Sequence, residues 1–153
     1  VNSYRGVVIL VNKWDLIDKD HQTMKEFEAA IRERIEPFTD VPILFTSNLT
    51  KQRILKAFES AMEVYENRNH KIPTSQLNDF LLPIMKNQPP PMYKGKMVRI
   101  KYVTQIKSQT PTFAFYCNLP QYVKEPYKRF LENHIRAEWD LTGVTIRLFF
   151  REK

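Results

Sequence analysis

The chain has 153 residues, room for one ordinary domain or two small ones, and its 42% apolar and 27% charged residues are those of a globular protein. No run approaches a membrane span and no signal-peptide layout opens the sequence, so a cytoplasmic protein without a membrane partner is expected. A single cysteine, Cys117, excludes an intrachain disulfide or a thiolate zinc cluster, three glycines exclude a Gly-rich phosphate loop, and the net charge of +7 points towards a polyanion partner.

The first element is Val7 to Val11, five apolar residues, mostly β-branched, which suit a central parallel strand covered on both faces. Asn12, Lys13, Trp14 and Asp15 follow at its carboxyl end, where open α/β sheets bind ligands. The pattern N-K-x-D is the guanine-specificity motif of GTPases. A carboxylate at Asp15 can accept two hydrogen bonds side by side, from guanine N1–H and the exocyclic amine, whereas adenine presents no such donor pair. Asn12 can turn its amide to the N7 edge or brace the neighbouring loop, and the alkyl stem of Lys13 can lie across the base. A solvated strand-to-helix loop has the same composition, and four residues alone do not decide between the two readings.

After a polar connector, Thr23 and Glu26 form a capping-box pattern, which predicts a helix starting there with Met24, Phe27, Ile31 and Ile35 inward and Pro37 closing it. Val41 to Thr46 reads as a second buried strand, ending in Ser47-Asn48-Leu49. A further helix, about 51 to 69, puts Ile54, Leu55, Phe58, Ala61, Met62 and Tyr65 on one face. Strand, helix, strand, helix is half of a doubly wound α/β sheet. Residues 1–70 carry ten basic and eleven acidic side chains, so the basic character lies in residues 71–153, with fourteen against six.

His70 to Ser75 reads as a linker with Thr74 or Ser75 capping a helix through about Lys86, in which Pro83 is expected to kink or break the last turn. Pro89 to Pro91 forms a stiff spacer. A strand over 98–106 places Val98, Ile100 and Tyr102 on one side and Arg99 and Lys101 on the other. A second, 112–118, alternates Phe113, Phe115 and Cys117 against Ala114 and Tyr116. A short helix from Pro120 and a longer one from Pro126 to Trp139 precede Gly143 and a last strand, 144–150, with Arg147 and Arg151 opposite its apolar side. The resulting α-β-β-α-α-β order is that of a type II KH fold. RNA-binding KH domains clamp the backbone with a G-x-x-G loop, but here the junction reads Val123-Lys124-Glu125-Pro126, which has no glycine and carries an acidic residue.

The segments NKWD, SNLT, VYENRN, PPPMYKGK, TPTFAFYCN, YKRFLENHIR and GVTIRLFFRE, in this order, resemble the C-terminal part of the Der (EngA) family of bacterial GTPases, over essentially all 153 residues. The family has two GTPase domains in tandem followed by a KH-like domain and acts in maturation of the large ribosomal subunit. The resemblance implies an α/β part of a P-loop GTPase domain over 1–70 and an α+β KH-like domain over 71–153. It implies guanine contacts from Asn12, Lys13, Trp14 and Asp15, and from the loop Ser47, Asn48 and Leu49, whose backbone amide meets the guanine carbonyl. Family members usually carry Ser-Ala in that loop, and Asn48 replaces the Ala.

No G-x-x-x-x-G-K-[ST] phosphate loop is in this sequence, so GTP or GDP with Mg is expected to bind in the longer protein and not to this chain alone, which should not hydrolyse GTP by itself. The implied partners are ribosomal RNA of the large subunit and the remaining GTPase domains, with self-association through uncovered strand edges. For the basic half two readings stand. Arg99, Lys101, Arg147 and Arg151 on a sheet face, or Lys124, Lys128, Arg129 and Arg136 on a helix, bind RNA phosphates; alternatively the sheet face docks on a GTPase domain and relays nucleotide state. A stand-alone basic RNA-binding or protein-interaction module with no nucleotide role is the alternative for the whole chain. His21, His70 and His134 show no ligand spacing, and no nucleophile elbow occurs.

Overall fold

The computed structural model describes residues 5–17, 21–38 and 40–152. The chain divides into two units: the described residues up to Arg68 together with Leu141–Thr145, and Asn69–Asp140 together with the residues from Ile146 onward. The second boundary departs from a simple cut at residue 70, because five residues late in the chain belong to the first unit.

In the first unit the β-branched run forms β1, Ile9–Val11, which pairs in parallel with β2, Ile43–Phe45, in the register Ile9 with Ile43 and Val11 with Phe45. Parallel pairing demands a crossover, supplied by helix α1, His21–Ile35. Helix α2, Ile54–Asn69, follows β2. Trp14 plugs the core beside β1 and β2, its ring 4.4 Å from that of Phe45 and edge-on to Phe27 at 5.7 Å.

Three sequence expectations change here. Helix α1 opens at His21, so Thr23 lies inside it, and Glu26 accepts a hydrogen bond from Gln22 Nε2 at 3.2 Å within the helix. β1 is three residues long and Leu10 is 51% exposed, so it is not a strand covered on both faces: the sheet has only two strands among the described residues. The stripe expected to face inward on α2 is open instead, with Leu55, Phe58, Met62 and Tyr65 between 59% and 78% exposed, while α2 buries Val64.

Val64 is buried against the segment Leu141–Thr145, which acts as a strap in this unit. Val7 N–H donates to Gly143 O at 2.8 Å, Gly143 N–H to Asp40 O at 2.7 Å, and Asn67 Nδ2 to Thr142 O at 3.3 Å. Only glycine fits at the two closest points. A Cβ at Gly6 would stand 2.5 Å from Val64 Cγ1, and one at Gly143 would stand 2.4 Å from Val64 Cγ2 and 3.0 Å from Val7 O. Gly143 also has φ +73°, which L side chains rarely adopt.

In the second unit, α3 (Thr74–Asn87) precedes a three-stranded sheet of order β3-β4-β5, with β3 Ile100–Ile106, β4 Thr112–Cys117 and β5 Arg147–Glu152. β3 runs antiparallel to β4, and β5 parallel to it. A 3-10 turn, Pro120–Tyr122, and helix α4, Glu125–Glu138, connect β4 towards β5. Central β4 is nearly all buried, as a strand paired on both edges should be, and α3 and α4 bury Leu77, Leu81 and Met85, and Tyr127, Leu131 and Ile135.

The outer edge of β3 is closed by side chains. Asn78 accepts from Val103 N–H at 2.9 Å and donates to Val103 O at 2.8 Å, and from β3 itself the Gln105 side chain ties down the preceding segment, accepting from Ile72 N–H and donating to His70 O. An amide side chain here imitates a neighbouring strand and removes the open template an edge presents.

Other boundaries differ from expectation. Pro73 occupies the cap position of α3 with no side-chain cap bond, Thr74 Oγ1 instead meeting Thr104 Oγ1 at 3.0 Å. The helix continues through Pro83 to Asn87 without a broken turn; Pro83 lies on the solvent side, where the carbonyl it leaves unbonded can be hydrated. In β3 a register shift between Ile100 and Tyr102 separates them in face: Ile100 pairs with Cys117, Tyr102 stacks on Tyr116 at 4.4 Å, and Val103 becomes the buried residue. β5 begins at Arg147 and not at Val144, because 141–145 is the strap.

Three outcomes are expected. Gly143→Ala should lower stability by roughly 2–4 kcal/mol in urea unfolding, from left-handed strain plus overlap with Val64. Through the open α2 stripe the chain should self-associate with rising concentration in sedimentation, and Phe58→Glu with Met62→Glu should return it to monomer. The buried Tyr127 hydroxyl donates to Gln88 O at 2.8 Å, and burial pushes its pKa from 10.0 up to about 12. Folding thus favours the neutral phenol, a contribution whole below pH 10.0 and lost as pH rises to about 12. Melting temperature should fall over that window, and less steeply for Tyr127→Phe.

Candidate functional site

The end of β1 is shaped by one backbone feature. Lys13 adopts the left-handed conformation, φ 59° and ψ 33°, and starts a short 3-10 turn, Trp14–Leu16. This reversal sends the Trp14 side chain into the core while its backbone N–H donates to Thr46 O at 3.1 Å, and leaves Asn12 and Lys13 exposed with Asp15 half-buried. Trp14 is 2% exposed, so its indole anchors the turn in the core. The motif side chains that reach the surface are Asn12, Lys13 and Asp15.

β2 delivers the second part. Its register sets Thr46 and Ser47 beside the turn, and the buried Ser47 hydroxyl donates to Asp15 Oδ1. That bond fixes the carboxylate's orientation, and a carboxylate keeps acceptor capacity beyond one bond. Ser47 Oγ also accepts from Thr50 N–H at 3.2 Å, and the Ser47 and Gln52 backbones exchange bonds at 3.3 and 3.0 Å. The amide of Ser47 is thus engaged. Among the described residues no partner is found for the amides of Asn48 and Leu49, whose side chains are exposed, so these two are the loop amides placed to meet an acceptor.

The basic residues expected to bind in the second unit lie at its sheet and at α4. Arg147 and Arg151 share one face of β5, opposite Thr112 and Tyr116. Tyr102 and Tyr116 stack on that face, and the Arg147 guanidinium lies 4.8 Å from the Phe149 ring centroid. Arg99 and Lys101 are exposed at the start of β3, which pairs with the edge of central β4 away from β5. On α4, Lys128 pairs with Glu125 at 2.5 Å, and Arg136 with Glu132 at 3.1 Å with its side chain only 15% exposed. Lys124 and Arg129 are the exposed members of that set.

A cluster absent from the sequence reading joins Lys124. The segment Tyr93–Lys96 forms a tight hairpin, with Tyr93 and Lys96 exchanging backbone bonds at 3.0 and 2.9 Å and Lys94 and Gly95 at positive φ. Tyr93 stacks on Tyr122 at 4.3 Å. The signal was the K-G pair between Tyr93 and Lys96, beyond a proline run that reads as a spacer. Cys117 offers no nucleophile: its thiol is fully buried, and desolvation, aided by Glu152 and opposed by a backbone bond from Leu119, raises its pKa. No group of three or more His, Cys, Asp or Glu able to hold a metal occurs among the described residues, and none of the described helices is long and apolar enough to cross a membrane.

Residues 71–151 match the family model described as the KH-domain-like, C-terminal region of EngA bacterial GTPase enzymes. The α+β unit is therefore KH-like, of the class found at the end of a bacterial GTPase. The chain belongs to the EngA family. It is 61% identical over 151 residues to GTPase Der of Christiangramia forsetii, covering 99% of this chain and 35% of that protein. It is 58% identical to GTPase Der of Flavobacterium psychrophilum and 58% identical to that of Bacteroides thetaiotaomicron, covering 97% of this chain each time and 34% and 35% of the relatives. The chain thus spans about a third of the length of these curated relatives.

Proposed function

We propose that residues 1–70 are the base-reading part of a P-loop GTPase domain and residues 71–153 a type II KH-like domain, together the C-terminal portion of a tandem-domain GTPase needed for large ribosomal subunit assembly. The carrying observation is Asp15 held by Ser47 beside exposed Asn12 and Lys13 at the end of β1. A carboxylate oriented in this way suits the N1–H and amine edge of guanine, while the Asn48 and Leu49 amides suit its carbonyl.

The exposed polar groups at this turn suit a base edge, and the sequence carries no G-x-x-x-x-G-K-[ST] phosphate loop. Nucleotide phosphates and the metal are held elsewhere in the longer protein, and no hydrolytic step is assigned to this chain. In this reading the KH-like half contacts ribosomal RNA, and the open stripe on α2 is covered in the longer protein by the rest of the GTPase domain.

The test compares guanine-nucleotide affinity of this chain with that of a longer chain that supplies the phosphate loop. The longer protein should bind, this chain should bind at least about a hundredfold more weakly, and Asp15→Asn in the longer protein should cost about 2–4 kcal/mol with discrimination against adenine relaxed. Unchanged guanine preference in Asp15→Asn would overturn the assignment. The alternative, an RNA-binding module with no nucleotide role, requires that neither protein binds nucleotide.

A further inference from the structure

The hairpin Tyr93–Lys96 and the entry to α4 bring together cations that lie about thirty residues apart in sequence. Lys94 Nζ is 5.5 Å and Lys124 Nζ 5.9 Å from the centroid of the same Tyr93 ring. Both distances fall within the reach of a cation–π contact. Tyr122, stacked at 4.3 Å with rings 19° from parallel, fixes the ring that both ammonium groups use. The nearest acidic residue in sequence, Glu125, is taken up by Lys128 at 2.5 Å. Lys96 is exposed on the other arm of the hairpin. Two like charges gathered on one ring repel each other, and an anion between them relieves that repulsion.

We propose that Tyr93, Lys94, Lys96 and Lys124 form a phosphate-backbone site for single-stranded RNA. It lies beside the helix junction where other KH domains carry G-x-x-G. The proposal deepens the RNA reading above and rests on it for the choice of partner. Lysines are compact point charges without the fixed fork of arginine, so they suit phosphates spaced along a flexible strand and carry little sequence information. The G-x-x-G clamp works by backbone approach. Here the same task passes to side chains, held in place by a tyrosine pair. An acidic protein surface would also answer the charge, but its core contacts are apolar, and the cluster offers two rings already engaged with each other.

The test measures fluorescence anisotropy of a labelled oligouridylate of about 20 nucleotides with the whole 153-residue chain, over a salt series. Lys94→Gln with Lys124→Gln should weaken binding at low salt about tenfold and reduce the slope of log K against log salt by about 1.4, two phosphates' worth. Tyr93→Phe should leave both unchanged, because the ring is kept, and Tyr93→Leu should weaken binding by about threefold. If RNA binds and the lysine pair moves neither affinity nor slope, the site is wrong while the RNA reading stands; the Arg147→Gln with Arg151→Gln protein then reports whether the sheet face carries the contact. If the unaltered chain binds no RNA at low salt, both fail, and retention on an acidic protein partner lost in the lysine variant would assign the cluster to protein docking.

Discussion

The first unit depends on the close approach between Val64 and two glycines. A valine is stiff at χ1 and cannot swing aside, so its two methyl groups set how near the backbone at Gly6 and Gly143 can come. With a Cβ at either position the strap would stand off. The bonds from Val7 to Gly143 and from Gly143 to Asp40 would lengthen together. Those bonds hold the stretch that leads into β1, and β1 in turn presents the turn at Lys13. The position of Asn12, Lys13 and Asp15 is thus tied to a packing contact made by α2.

At the site itself, burial does the positioning. Trp14 sits between polar neighbours in sequence, yet it is the most deeply held member of the motif, stacked among Phe27 and Phe45. Driving that ring inward makes the left-handed turn at Lys13 worth its strain and leaves Asn12 and Asp15 on the other side. Ser47 then locks Asp15 from the neighbouring strand. The α+β unit uses a related device at its margin, where the Asn78 amide stands in for a missing strand beside Val103.

Local pattern revealed much of this and missed what depends on distant partners. The strands β1, β2 and β4 and the helices α1 to α4 were legible because apolar spacing alone reports them, and Asp15 and Ser47 were both visible as guanine-site candidates. Their mutual bond was not, since it links residues 32 positions apart. The inward face assigned to α2 failed because amphipathic spacing shows that a face wants cover without showing whether the cover is in the chain. The parity of β3 failed at a register shift that alternation cannot signal, and the hairpin at Lys94 was hidden behind a proline run. The pairing of Lys128 with Glu125 and of Arg136 with Glu132 along their own helix is a further link that charge alone does not report.

The strap also has a bearing on synthesis. A ribosome making this chain emits β1, α1, β2 and α2 early, yet the first unit lacks its last five residues until position 145 has emerged. By then all but the last strand of the second unit has been made. The first unit therefore waits, with the backbone groups of Val7 and Asp40 unanswered, through the translation of nearly the whole of its successor. Order of appearance and order of completion are inverted. A chaperone or a nascent neighbouring segment holding that gap would act on the start of β1 during an interval of about seventy residues of elongation, several seconds at ordinary bacterial rates.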